Sequence, residues 1–293
     1  MVNGVKNIYY MYIMDGSKKI MVTSGPYKFQ IIDNTLYSRD NTQIYSRSFK
    51  IGGTYPDCVN ISVIYENNKP VDASMPFLLS DTECSFVRPL EKGGGAIIMI
   101  KTLLQYVYTQ LPTLTHIKFD DKSNIECATY VKPMPLYYFS ILFNGQTWYE
   151  KHFNARQKDE ARHQQYRKRV DDFLYSPEFK ANMGFDKFVS LFDKKEEEMT
   201  ELYQYYNNTN NFNDFFQSIP KQHRCRLVGP WIEQFMKFIL KDVFYNENWI
   251  IHLPMEMSGG IRNKKKTRKY YHPKGIITNN YQSTNICISP EDM

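Results

Sequence analysis

The sequence predicts an α+β fold, with a mixed, mostly antiparallel sheet followed by a helical subdomain and a flexible basic tail. Three observations lead to this prediction. Short β-branched and aromatic runs fill the first 90 residues, three glycines then precede an apolar segment with helical spacing, and charged amphipathic segments follow residue 155. We therefore predict an α/β domain at 1–155, a helical subdomain at 156–257 and a poorly ordered basic tail at 258–293.

The predicted strands come first and are separated by turns rich in Gly, Asn, Asp and Pro. They are IYYMYIM, KKIMVT, YKFQIID, TQIYSRSFKI, CVNISVIYE and ECSFV. After the glycines, apolar residues recur at helical spacing from Ile97 to Val107, and Pro112 closes this helix. LTHIKFD (114–120) is predicted as a buried strand that ends in the polar segment DDKSN.

The rest of the chain is predicted to be mainly helical. One helical segment covers roughly residues 135–151, and WIIHLP (249–254) is predicted to return one strand to the sheet. The amphipathic helices between them are NARQKDEARHQQYRKRVDDFL, FDKFVSLFDKKEEEMTELYQYY and PWIEQFMKFILKDVFY.

Composition restricts the class of protein. The apolar run Ile8–Met14 is too short for a secretory signal, and no segment approaches the roughly 20 apolar residues of a membrane span, so we expect no membrane insertion. The odd number of cysteines and the absence of a C-x-x-C pair predict reduced thiols in an intracellular compartment and no zinc site. These cysteines are Cys58, Cys84, Cys127, Cys225 and Cys287.

The net charge of +6 is concentrated in the tail. Seven basic residues and no acid lie between Ser258 and Gly275, so the remainder of the chain is close to neutral. The candidate nucleic-acid contacts are Arg262, Lys264, Lys265, Lys266, Arg268 and Lys269. Such a segment either binds phosphates, acts as a nuclear-import signal, or only keeps the chain soluble.

The segment EKGGGAIIMIKTLLQYV (91–107) is the first candidate for chemistry. A strand, a glycine turn and a helix can bind phosphate, because glycine lets the backbone approach an anion and the helix N-terminus favours negative charge. Lys92 beside Gly93, Gly94, Gly95 and Ala96 would add a positive charge. A tight structural turn is the alternative, since the segment matches neither nucleotide-binding glycine motif.

The order of elements from 55 to 155 resembles the core of the GNAT acetyltransferase superfamily. In that family the turn Gln/Arg-x-x-Gly-x-Gly/Ala holds the pyrophosphate of acetyl-CoA. Here Gly94-x-Ala96 has the matching spacing, and Glu91 stands at the Gln/Arg position. The resemblance therefore implies a GNAT-like glycine turn and helix, with acetyl-CoA at residues 92–96.

The same resemblance implies catalytic residues. Trp148-Tyr149-Glu150-Lys151-His152-Phe153 is similar to the first half of the family's Tyr-Glu-Lys-x-Gly-Phe motif, and it makes Tyr149 the candidate acid that protonates the leaving thiolate. Candidates for the base at strand ends are Glu83, Asp120 and Asp121, for which chain termination by solvated carboxylates is the alternative. The implied function is an acyl-CoA-dependent N-acetyltransferase.

PLYYFSILFNGQTWYEKHFNA and DDKSNIEC also resemble segments of proteins from large nucleocytoplasmic DNA viruses. The resemblance and the composition imply a host cytoplasm, virion or nuclear location, with viral or host protein partners. The alternative function is a non-enzymatic viral protein of RNA binding, cap binding or virion assembly. In that case Trp148, Trp231 and Trp249 would stack on bases and the tail would hold phosphates.

Overall fold

The computed structural model describes residues 13–38, 40–78, 82–91, 94–127, 130–191 and 196–255. These residues confirm the predicted α+β class, with a large, mostly antiparallel mixed sheet and several helices. They divide into two compact units. The first contains the described residues up to Leu90, Ile98–Ile117 and those from Leu253, and the second contains the remainder from Glu91 to His252.

The first unit is dominated by consecutive antiparallel strands, each paired with the next along the chain. The strands are β1 (Ile13–Ser24), β2 (Tyr27–Tyr37), β3 (Ile44–Gly52), β4 (Val59–Glu66) and β5 (Lys69–Leu78). Strand β6 (His116–Phe119) lies next in the sheet and begins in this unit. Five of the predicted strand segments overlap β1 to β4, two of them on β1, whereas β5, which contains two prolines and an aspartate, was not predicted.

Helix α1 (Gly94–Gln110) follows the glycines as predicted. Within the first unit, its apolar residues are buried, including Leu103 and Val107. One buried charge fixes its position: Asp33 of β2 forms an ion pair with Arg47 at 2.6 Å and accepts a hydrogen bond from Tyr106 Oη of α1 at 3.0 Å. A buried carboxylate needs such partners to stay charged, so this cluster specifies how α1 packs on the sheet.

The first unit also contains a disulfide that the sequence analysis did not predict. Cys58 and Cys84 are both buried and bonded to each other, and Cys225 is disulfide-bonded as well, so the expectation of reduced thiols is wrong for these three cysteines. The segment ECSFV, predicted as a strand, is instead a 3-10 turn at Thr82–Cys84 followed by irregular chain. The bond ties this turn to the residue that precedes β4.

The second unit contains most of the helices. After β7 (Asn124–Cys127) and β8 (Tyr130–Pro135), which form a hairpin, the described helices are α2 (Leu136–Asn144), α3 (Trp148–Phe153), α4 (Glu160–Tyr175), α5 (Pro177–Met183), α6 (Phe185–Ser190), α7 (Glu196–Asn207), α8 (Phe212–Ser218), α9 (Lys221–Val228) and α10 (Ile232–Leu240). Strands β9 (Arg156–Gln157) and β10 (Trp249–His252) are antiparallel neighbours, and β10 lies beside β6. The strand predicted at WIIHLP is therefore present.

Two predicted helices of this unit are each divided. The segment 135–151 forms α2 and α3, separated where Gly145 adopts φ 70° and Thr147 begins a new helix. The long segment that starts at Phe185 contains α6 and α7, with residues 192–195 outside the described part. Aromatic side chains form the core around these helices, and the largest fully buried rings include Phe173, Phe188, Phe212, Phe216 and Trp231.

Every helix in the described part of the chain falls short of the length and apolar character that a membrane span requires. The tail from residue 256, which includes the basic residues 262–269, lies outside the described residues. The domain boundaries at 155 and 257 stay predictions.

Candidate functional site

Two adjacent aspartates follow β6 and lie in opposite environments. Asp120 is on the solvent side, where its side chain is 42% exposed, and it lies 3.4 Å from Lys122 Nζ. Asp121 is only 1% exposed. The alternation of a strand explains this difference, because Ile117 and Phe119 of β6 are buried and Asp121 continues the same face.

The carboxyl of Asp121 is only half satisfied by hydrogen bonds. Its Oδ1 accepts hydrogen bonds from the backbone N–H and the hydroxyl of Ser123. Its Oδ2 is buried and has no hydrogen-bond partner among the described residues. Burial is the main cause that raises the pKa of Asp121 to about 6; the Ser123 hydrogen bonds lower it and the charge of Glu150 adds to the rise.

Two residues that precede β10 hold the backbone around Asp121 in place. Its N–H donates to the carbonyl of Asn246 at 2.6 Å, and the neighbouring Asp120 accepts a hydrogen bond from the N–H of Asn248 at 3.2 Å. Both partners lie immediately before β10. The end of β6 is therefore fixed to the segment that precedes β10, which holds the backbone of Asp121 in place.

Tyr149, the predicted acid, lies on α3 within electrostatic reach of Asp121. Its ring is 4% exposed and packs on Phe119 with 4.4 Å between ring centroids. Burial raises the pKa of Tyr149 well above 10, and the charge of Asp121 raises it further. The structure thus brings together Tyr149 and Asp121, whereas Asp120, the other predicted carboxylate at this strand end, faces solvent.

The first turn of α3 orients Tyr149 through a capping box. Thr147 Oγ1 accepts a hydrogen bond from the N–H of Glu150 at 3.2 Å, and Glu150 Oε2 accepts one from the N–H of Thr147 at 2.7 Å. Glu150 also accepts a hydrogen bond from Tyr166 Oη at 2.8 Å and lies 3.5 Å from Arg167. Both oxygens of Glu150 have partners, so Glu150 stabilises the fold, whereas Oδ2 of Asp121 has no partner among the residues that the structure describes.

The glycine turn is described only from Gly94 onward. Gly94 begins α1 and is exposed, Gly95 and Ala96 are buried, and Gly95 N–H donates to the carbonyl of Glu91 at 2.9 Å. A side chain at Gly94 would meet no atom within 4 Å, so packing does not require glycine there. Lys92 and Gly93 lie outside the described residues.

The remaining predicted site residues lie elsewhere. Glu83 is exposed in the first unit, and its backbone carbonyl accepts a hydrogen bond from the N–H of Tyr55 at 3.2 Å. The three tryptophans are buried, so Trp148, Trp231 and Trp249 offer no free face for stacking on a base. Among the described residues, no group of three His, Cys, Asp or Glu side chains has the arrangement of a metal site.

Comparison with known proteins gives no relative: no family model, no curated protein and no solved structure matches the chain.

Proposed function

We propose that this chain is a divergent N-acyltransferase that uses acetyl-CoA, with Asp121 as the proton acceptor. One observation carries the proposal: the buried carboxyl of Asp121 has an oxygen without a hydrogen-bond partner in the described part of the chain, and its pKa is raised to about 6. Groups whose pKa lies near neutrality are the efficient general bases at physiological pH. Helix α1 and strand β6, with Tyr149 following, retain part of the element order that favours acyl transfer, although the strand expected at ECSFV is a 3-10 turn.

The stability cost of Asp121 supports a functional role. A buried charge without full hydrogen bonding destabilises a fold, and an amide of the same shape would avoid that cost. Asp33, the other buried aspartate described above, is compensated by Arg47 and Tyr106. Asp121 has only Ser123 on one oxygen, so the chain retains an ionisable group here that its packing does not need.

In the proposed mechanism the residues of the second unit move two protons. Acetyl-CoA supplies the thioester carbonyl that the acceptor amine attacks. Asp121 Oδ2 takes a proton from the amine nitrogen as the C–N bond forms. Tyr149 donates its phenolic proton to the sulfur as the C–S bond breaks. Asp121 then gives its proton to water and the Tyr149 phenolate takes one from water, which restores both groups.

The raised pKa of Tyr149 keeps its phenol protonated at neutral pH, so a proton is present when the thiolate leaves. Both side chains are nearly inaccessible, so the proposal requires that α3 moves away from β6 when substrates bind. The first turn of α1 is the proposed place for the phosphates, since Gly94 is open and the helix N-terminus presents N–H groups. The exposed carboxylate of Glu91 opposes an anion there and predicts weak binding.

Thermal unfolding with added CoA or acetyl-CoA tests the proposal. A ligand that binds the folded state raises the melting temperature by an amount that increases with its concentration. We expect a rise with both compounds, and a larger one for Glu91→Gln because a negative charge beside the phosphates is removed. ATP serves as the control for phosphate binding without the pantetheine arm. An unchanged melting temperature with CoA and acetyl-CoA at millimolar concentration would exclude this function.

A further inference from the structure

A groove of about 250 Å³ in the second unit combines positive charge with exposed aromatic surface. Helices α4, α5, α6 and α10 contribute its walls. The cations are Arg169, Lys187 and Lys241, and the aromatic rings are Phe179 and Phe238. Phe238 is 40% exposed although it lies on an otherwise strongly amphipathic helix, α10, whose neighbours Phe235 and Ile239 are buried.

None of the three cations forms an ion pair with a described carboxylate. Their neighbours on the same helices differ in this respect: Lys168 of α4 pairs with Asp172 at 2.7 Å, and Lys237 of α10 pairs with Glu233 at 2.6 Å. Asp186 and Asp242, which adjoin two of the groove cations in sequence, also form no ion pair with them. Among the described residues, the groove therefore has three cations that no ion pair neutralises, which favours an anionic ligand.

The backbone of Lys241 is strained. It adopts φ 45° and ψ −122° at the end of α10, a region in which glycine is more stable than any residue with a side chain. Arg169 donates one hydrogen bond to the carbonyl of Ile239 in the same last turn, at 3.2 Å, which leaves other guanidinium N–H groups for a ligand. A lysine at this strained position supplies a charge that the turn itself does not need.

We propose that this groove binds one nucleotide of a single-stranded nucleic acid. The cations hold the phosphates, and the base stacks on the exposed ring of Phe238, a combination that binds single strands with little sequence preference. The groove is smaller than the roughly 300–1,000 Å³ of pockets that enclose a whole small molecule. It therefore suits one unit of a polymer that continues along the surface. This site is independent of Asp121 and of the basic tail.

The test is fluorescence anisotropy of the full chain with labelled 12-nucleotide oligo(U) RNA and oligo(dT) DNA between 50 and 300 mM KCl. The double variant Lys187→Gln/Lys241→Gly removes two cations and relieves the strained backbone, so it should fold at least as well as the original. We expect affinity to fall by about tenfold at 50 mM salt. The slope of log affinity against log salt should become shallower by about 1.4, at about 0.7 per phosphate contact.

Matched variants separate the groove from general charge. Lys168→Gln/Lys237→Gln removes the same charge from two lysines of α4 and α10 and should change affinity less than about threefold, because Asp172 and Glu233 already neutralise these lysines. Phe238→Ala should weaken binding by about tenfold and Phe238→Trp should restore it. Tyr203→Ala removes a 49% exposed ring outside the groove and should have no effect.

Binding of either oligomer with this dependence supports the proposal, and comparison of the two shows whether RNA or DNA is preferred. The proposal is overturned if the original chain binds neither oligomer. An equal loss of affinity in the two lysine double variants overturns it as well, because binding would then follow total charge. Unchanged affinity in Phe238→Ala would contradict the proposed stacking of a base on this ring.

Discussion

At the scale of single residues, the proposed function depends on Asp121. The effect of Asp121 on the free energy of unfolding can be measured without any substrate. Its pKa rises from 3.8 to about 6 on folding, so the folded chain binds more protons than the unfolded chain between these values. Protonated Asp121 therefore gives its full contribution to the free energy of unfolding below pH 3.8. This contribution is lost as the pH rises through 6, because the buried carboxyl then becomes charged. The loss corresponds to about 3 kcal/mol for a shift of about two units.

We therefore expect Asp121→Asn to be more stable than the original chain above pH 6, by up to about 3 kcal/mol, and equal to it below pH 4. The amide retains the acceptor oxygen for Ser123 and carries no charge. Urea unfolding at several pH values measures the difference. A variant that is less stable at pH 8 would show that the charged carboxylate is stabilising, contrary to our interpretation.

Tyr149 can be separated from its structural neighbours by removing one hydroxyl at a time. Tyr149→Phe should lower the rate of acyl transfer by a factor of about 10²–10⁴, the usual contribution of a positioned acid. Tyr166→Phe instead removes the hydrogen bond to Glu150, and it should cost about 1–3 kcal/mol of stability with little effect on the rate. Rate measurements and urea unfolding of both variants test this assignment. Equal rates in the two variants would contradict the role of Tyr149.

At the scale of secondary-structure elements, α3 depends on its capping box. Thr147→Ala removes the acceptor for the N–H of Glu150 and should lower the free energy of unfolding by about 1–2 kcal/mol. Thr147→Ser keeps the hydroxyl and should retain most of that energy. Chemical denaturation of the two variants distinguishes them, and equal losses would show that the threonine methyl group, and not the cap, stabilises the helix.

The disulfide between Cys58 and Cys84 also stabilises the fold at this scale. It closes a loop with a sequence separation of 26 residues, for which the chain-entropy model gives about 3.5 kcal/mol. Cys58→Ala/Cys84→Ala should lower the free energy of unfolding by about that amount. Reductant should lower the stability of the original chain by at least as much, because Cys225 is disulfide-bonded too. Equal stability of reduced and oxidised chains would show that the bond contributes nothing.

At the scale of the whole molecule, local patterns predicted the elements better than they predicted the site. Alternation and helical spacing identified β1 to β4, α1, β6 and β10, because these segments each bury one continuous face. The same alternation along β6 places Asp121 on the buried side with Ile117 and Phe119, so Asp121 could have been selected over Asp120.

The rest of the fold depends on contacts between distant residues. Asp121 is held by Asn246, which lies more than 100 positions away, and the bond between Cys58 and Cys84 depends on how the turn after β5 returns to β4. The groove has the same origin, since Arg169, Lys187 and Lys241 meet only when three helices pack together. The local pattern of a single sequence does not indicate which distant residues come into contact.

The most direct measurement of the central claim is CoA release from acetyl-CoA between pH 5 and 9, with spermidine, a lysine peptide and a peptide with a free N-terminus as acceptor amines. After division by the fraction of neutral amine at each pH, we expect a rate that rises with pH through about 6, where Asp121 loses its proton, and then levels off; in Asp121→Asn this rate falls to the uncatalysed background. A rate equal to that background for the original chain with every amine, or an equal rate in Asp121→Asn, would contradict it.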